Sequence, residues 1–296
     1  MFENASDKTA SIVLFASAAF WGLYWLPLRA IEEVGLSGTW SVAFFNACPL
    51  LVVIPFVVFR RATQMVNLRH AMMIGLFTGI GLSLYASGLV LSTVIRATLL
   101  FYLTPIWSTI IGVIWLSEKL TAGRVAAIVL GLGGLWLLLS GNDGTAAPLN
   151  IGDLFALLSG VFWGLGAAWM KKYPEFPTAA TTMFQFLVAL GFCSFLALFL
   201  FQAPIPPASV FQNAFAIAFV ASAFVLLPSL FAIFWASKRL FPGRVGVLMM
   251  SEALVAILSA SLLLPSETMG AWQWVGSIII ITACFVEVLT KDERAV

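Results

Sequence analysis

The chain has 296 residues, 61% of them hydrophobic and only 9% charged, with a mean hydropathy of +1.04. A soluble domain of that length and composition would lack an adequate polar surface, so lipid is the expected solvent. A formal net charge of +2 argues against nucleic acid as a partner.

A hydrocarbon core of about 30 Å takes roughly 20 apolar residues per helix. By that ruler the chain divides into ten predicted spans: Ser11 to Ile31, Trp40 to Phe59, Ala71 to Leu91, Ala97 to Leu116, Ala122 to Leu139, Ile151 to Met170, Ala179 to Phe201, Phe211 to Ala236, Val245 to Leu264 and Ala271 to Leu289. The connections are short and carry breakers such as Gly141-Asn142-Asp143-Gly144, Ala203-Pro204-Ile205-Pro206-Pro207 and Pro265-Ser266. None is long enough to hold a soluble domain. The first run is led by Glu3, Asp7 and a single Lys8 and is long enough to span, so it reads as a helix and not as a cleaved signal. Cys48, Cys193 and Cys284 fall in three different runs without a CxxC pair, which argues against a disulfide framework and a zinc site.

Cations beside spans are retained on the cytoplasmic side. With the N-terminus inside, the cytoplasmic segments hold Lys8, Arg60, Arg61, Arg69, Lys119, Arg124, Lys171, Lys172, Lys238, Arg239, Arg244, Lys291 and Arg294, leaving only Arg29 and Arg96 for the opposite side. One helix more or fewer would scramble this alternation. Both termini are therefore expected in the cytoplasm.

The segment Phe20-Trp21-Gly22-Leu23 returns as Phe162-Trp163-Gly164-Leu165, each time early in a span, and Leu116-Ser117-Glu118 is echoed by Leu264-Pro265-Ser266-Glu267. The chain is thus expected to be duplicated, with residues 1–145 as a first five-helix repeat and 146–296 as a second. Five is odd, so the second copy enters the membrane from the other side. The predicted architecture is an all-α integral membrane protein of two inverted repeats (5+5). Internal repeats of this kind are typical of secondary transporters, whose substrate site lies near the midplane where the copies meet.

Ten spans, FWG in the first and sixth, and Leu103-Thr104-Pro105-Ile106-Trp107 leading to Leu116-Ser117-Glu118-Lys119-Leu120 resemble the drug/metabolite transporter superfamily, EamA type, over almost the whole chain. The aromatic content and Met249-Met250-Ser251-Glu252 resemble its aromatic amino acid exporter branch. That resemblance implies efflux of aromatic and other neutral amino acids, and of some planar cationic drugs, across the bacterial inner membrane. The pattern expects Pro in the ninth span where the fourth has Pro105, and this chain has Glu252 near that place, so a kink need not be copied between the two.

A charge facing hydrocarbon costs several kcal/mol, so polar groups on apolar spans mark cavities or helix contacts. Glu252 is the acid deepest inside a span, with Ser251 beside it; it reads either as a partner for a substrate ammonium or a coupled proton, or as a hydrogen-bonded tie between helices. Trp40, Trp115, Trp136, Trp272 and Trp274 fit headgroup anchors. Trp21, Tyr24, Tyr85, Tyr102, Trp163 and Trp169 fall further inside, where phenol and indole donors prefer the bundle interior. They are the candidate substrate-binding aromatics, with ordinary helix packing as the competing reading. Pro105 and Pro228 are expected to kink their helices and are the candidate hinges. An intramembrane enzyme would need a nucleophile with a base, a pair of acids or a phosphate cradle. His70 is the only histidine, it falls at the start of the third span, and no ATP-binding or other cofactor motif occurs. The expected partners are a small-molecule substrate and the lipid bilayer. A carrier for another metabolite or drug on the same fold remains open, and the pathway is expected to lie within one chain, as a monomer.

Overall fold

A bilayer offers the backbone no water, so each apolar segment must close its own N–H···O=C bonds, and an α-helix does this within one segment. The computed structural model describes residues 7–117, 122–139, 148–237 and 248–289, and among these residues there are helices and no strands. Among the described residues, seven helical stretches are long and apolar enough to cross a membrane: Lys8–Glu33, Thr39–Phe59, Leu68–Leu91, Val94–Leu116, Ile151–Lys172, Thr178–Leu200 and Ala208–Ala236. Three shorter apolar helices accompany them, Val125–Leu137, Ser251–Leu263 and Ala271–Ala283. The expected seam at 141–144, the motif residues 118–120 and the cations Lys119, Lys238, Arg239, Arg244, Lys291 and Arg294 lie outside the described residues.

Several of the long stretches are not single helices. The first is α1 (Asp7–Gly22) followed by α2 (Trp25–Glu33), the second α3 (Thr39–Ala47) and α4 (Leu50–Phe59). A short α5 (Arg61–Gln64) precedes α6 (Leu68–Leu91), which is continuous, and the next stretch divides again into α7 (Val94–Phe101) and α8 (Thr104–Leu116). There follow α9 (Ala122–Leu139), α10 (Ile151–Lys172), α11 (Thr178–Phe195), α12 (Ala208–Phe219), α13 (Leu227–Ser237), α14 (Ser251–Leu263) and α15 (Ala271–Leu289).

Proline accounts for three of the interruptions. Its ring clashes with the carbonyl four residues back, which for Pro27 is Leu23 and for Pro105 is Phe101. The backbone yields at Leu23–Tyr24 and at Tyr102–Leu103, where it tightens into bonds such as Tyr24 N–H to the Trp21 carbonyl (3.0 Å). Both prolines then fall in the first turn of the resumed helix, where a missing N–H costs little. Ahead of Pro228 the chain widens into a π-helical segment, Val220–Leu226, around the carbonyl its ring would strike. The sequence reading expects kinks at Pro105 and Pro228 but not the break at Pro27, which it takes for a residue near a span end.

The elements pack as a bundle in which α6 lies between α10 and α11, α1 lies against α13 and α14, α8 against α10, and α9 pairs with α15 at the side. The two ends differ chemically. At one, the Arg29 guanidinium reaches Glu32 (3.1 Å) and the Leu89 carbonyl (3.0 Å), joining the C-terminal ends of α2 and α6. At the other, His70 stacks on Tyr173 with ring centroids 4.1 Å apart and accepts a hydrogen bond from Trp169 Nε1 at Nδ1 (3.3 Å).

Candidate functional site

The breaks in α1–α2 and α7–α8 and the start of α14 converge. Gly22, the last residue of α1, meets the first turns of α14 so closely that a Cβ there would stand 2.5 Å from the Glu252 carbonyl oxygen and 3.0 Å from Ala256 N. Its counterpart in the repeated FWG segment, Gly164 in α10, faces α8, where a Cβ would stand 3.1 Å from Ser108 Oγ and 3.3 Å from Ile111 Cδ1. Each tryptophan beside these glycines is thereby carried into the middle of the bundle.

Between them lies a cavity of about 180 Å³, walled by Trp21, Gly81, Leu82, Tyr85, Phe101, Tyr102, Thr104, Trp163, Leu230, Ile233, Phe234, Met249, Met250 and Glu252. An apolar hole of about 150 Å³ accepts benzene, so this one holds a group of roughly one ring or one branched aliphatic chain. Phe101 forms the hub of the aromatic wall, with ring centroids 4.6 Å from Tyr85, 5.3 Å from Tyr102 and 6.3 Å from Trp163. The last two contacts are edge-to-face, at 85° and 80°, an arrangement that aromatic quadrupoles favour.

Glu252 is the carboxyl of this wall. It stands in the first turn of α14, just after a turn at Met250, and not deep within a continuous helix as the span reading places it. The Tyr102 hydroxyl donates toward Glu252 Oε2 (3.1 Å) and lies 3.2 Å from the Met249 carbonyl oxygen, so the break in the α7–α8 stretch and the start of α14 touch across the cavity. Tyr85 pairs its hydroxyl with Thr98 Oγ1 (3.3 Å). The Thr104 hydroxyl donates to the Phe101 carbonyl and thereby helps satisfy the open turn. Trp21 Nε1 is buried with no hydrogen-bond partner among the described residues. No Lys or Arg belongs to the wall as described.

Of the residues singled out from sequence, Trp21, Tyr85, Tyr102, Trp163 and Glu252 meet at this cavity, and three lie elsewhere. Tyr24 is buried behind Trp21 and packs edge-on against Phe45 at 5.3 Å. Ser251 turns away, its hydroxyl against the Phe15 and Leu248 carbonyls (2.9 Å each), and so ties α14 to α1. Trp169 belongs to the cluster at the His70 end, 5.3 Å from the Trp115 ring and 5.6 Å from Tyr173. Pro105 and Pro228 flank the broken stretches, as described above. Sequence reasoning passed over Phe101, Leu230, Ile233, Phe234 and Met249, because an apolar residue on an apolar span carries no mark of what it faces. Among the described residues no cluster of His, Cys, Asp and Glu is arranged to hold a metal.

With this geometry in hand, the relatives are informative. The model of the EamA-like transporter family matches the chain twice, over residues 8–140 and 150–289. A protein of Acidianus ambivalens described as an uncharacterized transporter in the sor 3' region is 27% identical over 138 residues, 47% of this chain and 52% of that protein. The alignment thus spans about half the length of that curated relative. A crystal structure with 18% sequence identity covers 95% of this chain and 96% of its own at a TM-score of 0.61, which is a likeness of fold.

Proposed function

This chain belongs to the EamA-like transporter family, and on that premise we propose that it exports neutral amino acids with aromatic or large apolar side chains by alternating access. Members of the family are transporters. The observation that carries the substrate class is one carboxyl, Glu252, set in a cavity wall of aromatic and aliphatic side chains without a Lys or Arg among its described residues. A solute with an ammonium and an apolar side chain matches both features.

Flat side chains gain from the wall formed by Trp21, Tyr85, Phe101, Tyr102 and Trp163. Burying about 150 to 250 Å² of an aromatic side chain contributes on the order of 4 to 6 kcal/mol before the costs of binding are subtracted. An ammonium near the same rings gains about 0.5 to 2 kcal/mol from cation–π attraction, with Glu252 adding a charge partner. An acidic side chain finds no compensation for its own desolvation. The same wall suits planar cationic drugs, whereas nucleotide sugars would require cations within the bundle.

The transport cycle follows from an architecture of ten helices in two inverted repeats, residues 1–145 and 146–296. Three observations support it: the family model matches each half, the FWG segment recurs, and its two glycines make corresponding contacts, Gly22 with α14 and Gly164 with α8. The distribution of Lys and Arg supports cytoplasmic termini in a bacterial inner membrane, with the Arg29 end outside. A cavity enclosed by one chain suits a monomer. Pro27, Pro105 and Pro228, with their broken helices, supply the places where the repeats would flex as one rocks against the other.

The test is uptake into proteoliposomes under an imposed gradient. Phenylalanine and leucine should be carried faster than glutamate, and glutamate flux equal to or above that of phenylalanine would overturn the substrate assignment.

A further inference from the structure

Toward the Arg29 end, a set of contacts joins the first half of the chain to the second. The corner between α6 and α7, residues 91 to 96, is the target of most of them. Asp153, in the first turn of α10, accepts from Ser92 Oγ at Oδ1 and from Arg96 Nη1 at Oδ2 (3.0 Å). Glu267, in the turn between α14 and α15, accepts the backbone N–H of Val94 at Oε1 (2.8 Å) and of Ile95 at Oε2 (2.9 Å). It therefore caps the N-terminus of α7 from a segment more than 170 residues away. Further in, Trp25 Nε1 donates to Ser259 Oγ (3.1 Å), binding α2 to α14.

Two of these contacts engage ionised groups with little access to water: Arg96 is 8% exposed, Asp153 4% and Glu267 7%. Charges are not left at such a place unless they are paired. Here each carboxylate has two or more donors, and Glu267 also meets the positive end of a helix dipole. Once hydrated, the same groups lose little, because water replaces every partner. That is the property of a latch with two acceptable states: paired and dry when closed, solvated and separate when open.

We propose that Asp153 and Glu267 are the closing groups of the transport path at the Arg29 end, holding the α6–α7 corner of the first half against the second. The proposal rests on the transporter reading above and concerns its gate, not its substrate. At the His70 end, ties between loops among the described residues include Asn67 Nδ2 to the Glu175 carbonyl (2.8 Å), which is exposed, and Ala180 N–H to Gln64 Oε1 (3.3 Å). In this structure the carboxylate pair holds the two halves together at the Arg29 end.

The experiment reads access to the cavity and needs no substrate. A single cysteine replaces Leu82 in the cavity wall, in protein whose Cys48, Cys193 and Cys284 are changed to Ala, and a membrane-impermeant maleimide is applied to each face in turn. Glu267→Gln and Asp153→Asn should raise labelling from one face by about tenfold, the population shift expected for one lost charge-assisted hydrogen bond, and lower it from the other. Ser92→Ala, which removes one neutral hydroxyl, should act in the same direction but less, and it decides the matter if the charge variants fail to assemble. Wild-type labelling at both faces in folded variants overturns the proposal. A wrong substrate assignment would appear in flux alone and leave this result unchanged.

Discussion

Gly22→Ala is the most direct test of how the broken helices are held together. A Cβ at this position would stand 2.5 Å from the Glu252 carbonyl oxygen, 2.8 Å from Val255 Cβ and 3.0 Å from Ala256 N. Carbon atoms in good contact are about 3.5 to 4.0 Å apart, and two of these three neighbours are backbone, which cannot rotate away. The α1 and α14 helices must therefore separate by on the order of 1 Å, and overpacking of that kind costs about 1 to 3 kcal/mol. The displacement acts on the turn that carries Glu252, so its 3.1 Å contact with Tyr102 should lengthen as well. Purified Gly22→Ala should melt several degrees below wild type and lose most of its flux in proteoliposomes. Gly133→Ala, on an exposed face of α9 with nothing within 4 Å of the added carbon, is the matched control. It should melt at or above the wild-type temperature, since Ala is favoured over Gly in a helix by about 1 kcal/mol. If the two variants shift the melting temperature equally, or if Gly22→Ala transports at the wild-type rate, the close approach of α1 and α14 is refuted.

Alanine at Tyr85, Tyr102 or Trp163 should reduce flux of aromatic solutes while the protein stays monodisperse, and Phe should retain more activity than Ala because it keeps a ring; unchanged flux in all three Ala variants would return these residues to helix packing. Glu252→Gln should raise the apparent KM for a zwitterionic substrate with little change in melting temperature, whereas Glu252→Leu should lower both activity and stability; wild-type flux in the Gln variant would remove Glu252 from the substrate site. Gly164→Ala should be milder than Gly22→Ala, because the atoms it meets, Ser108 Oγ and Ile111 Cδ1, are side-chain ends that can move. Asn150→Ala should cost about 0.5 to 2 kcal/mol in a denaturation assay, since its side chain caps α10 by accepting from Gly152 and Asp153 N–H (2.7 and 3.2 Å); no loss of stability would contradict the capping box.

Class, approximate spans and internal repetition were legible in the sequence because each depends on composition or on order along the chain. Hydropathy reports the solvent, and a repeated Phe-Trp-Gly needs no coordinates to be noticed. Trp21, Tyr85, Tyr102, Trp163 and Glu252 could be picked out for the same reason: a ring with a polar atom, or a carboxyl, is out of place against lipid. What the chain did not disclose is direction. Trp21 and Tyr24 are three residues apart and would share a face on an unbroken helix, yet the turn at Leu23–Tyr24 leaves one at the cavity and sends the other toward Phe45. Ser251 and Glu252 are adjacent and diverge in the same way, one toward Phe15 and the other toward Tyr102. In a membrane the apolar signal is uniform around a helix, so it cannot tell a cavity face from a lipid face or a packing face, and Phe101 and Phe234 stay hidden until neighbouring helices fix the rotation. The same holds for Asp153 and Glu267, which read as ordinary charges at span ends. Only the tertiary structure brings them to donors 57 to 173 positions away, because hydrogen bonds between segments depend on which ends meet in space.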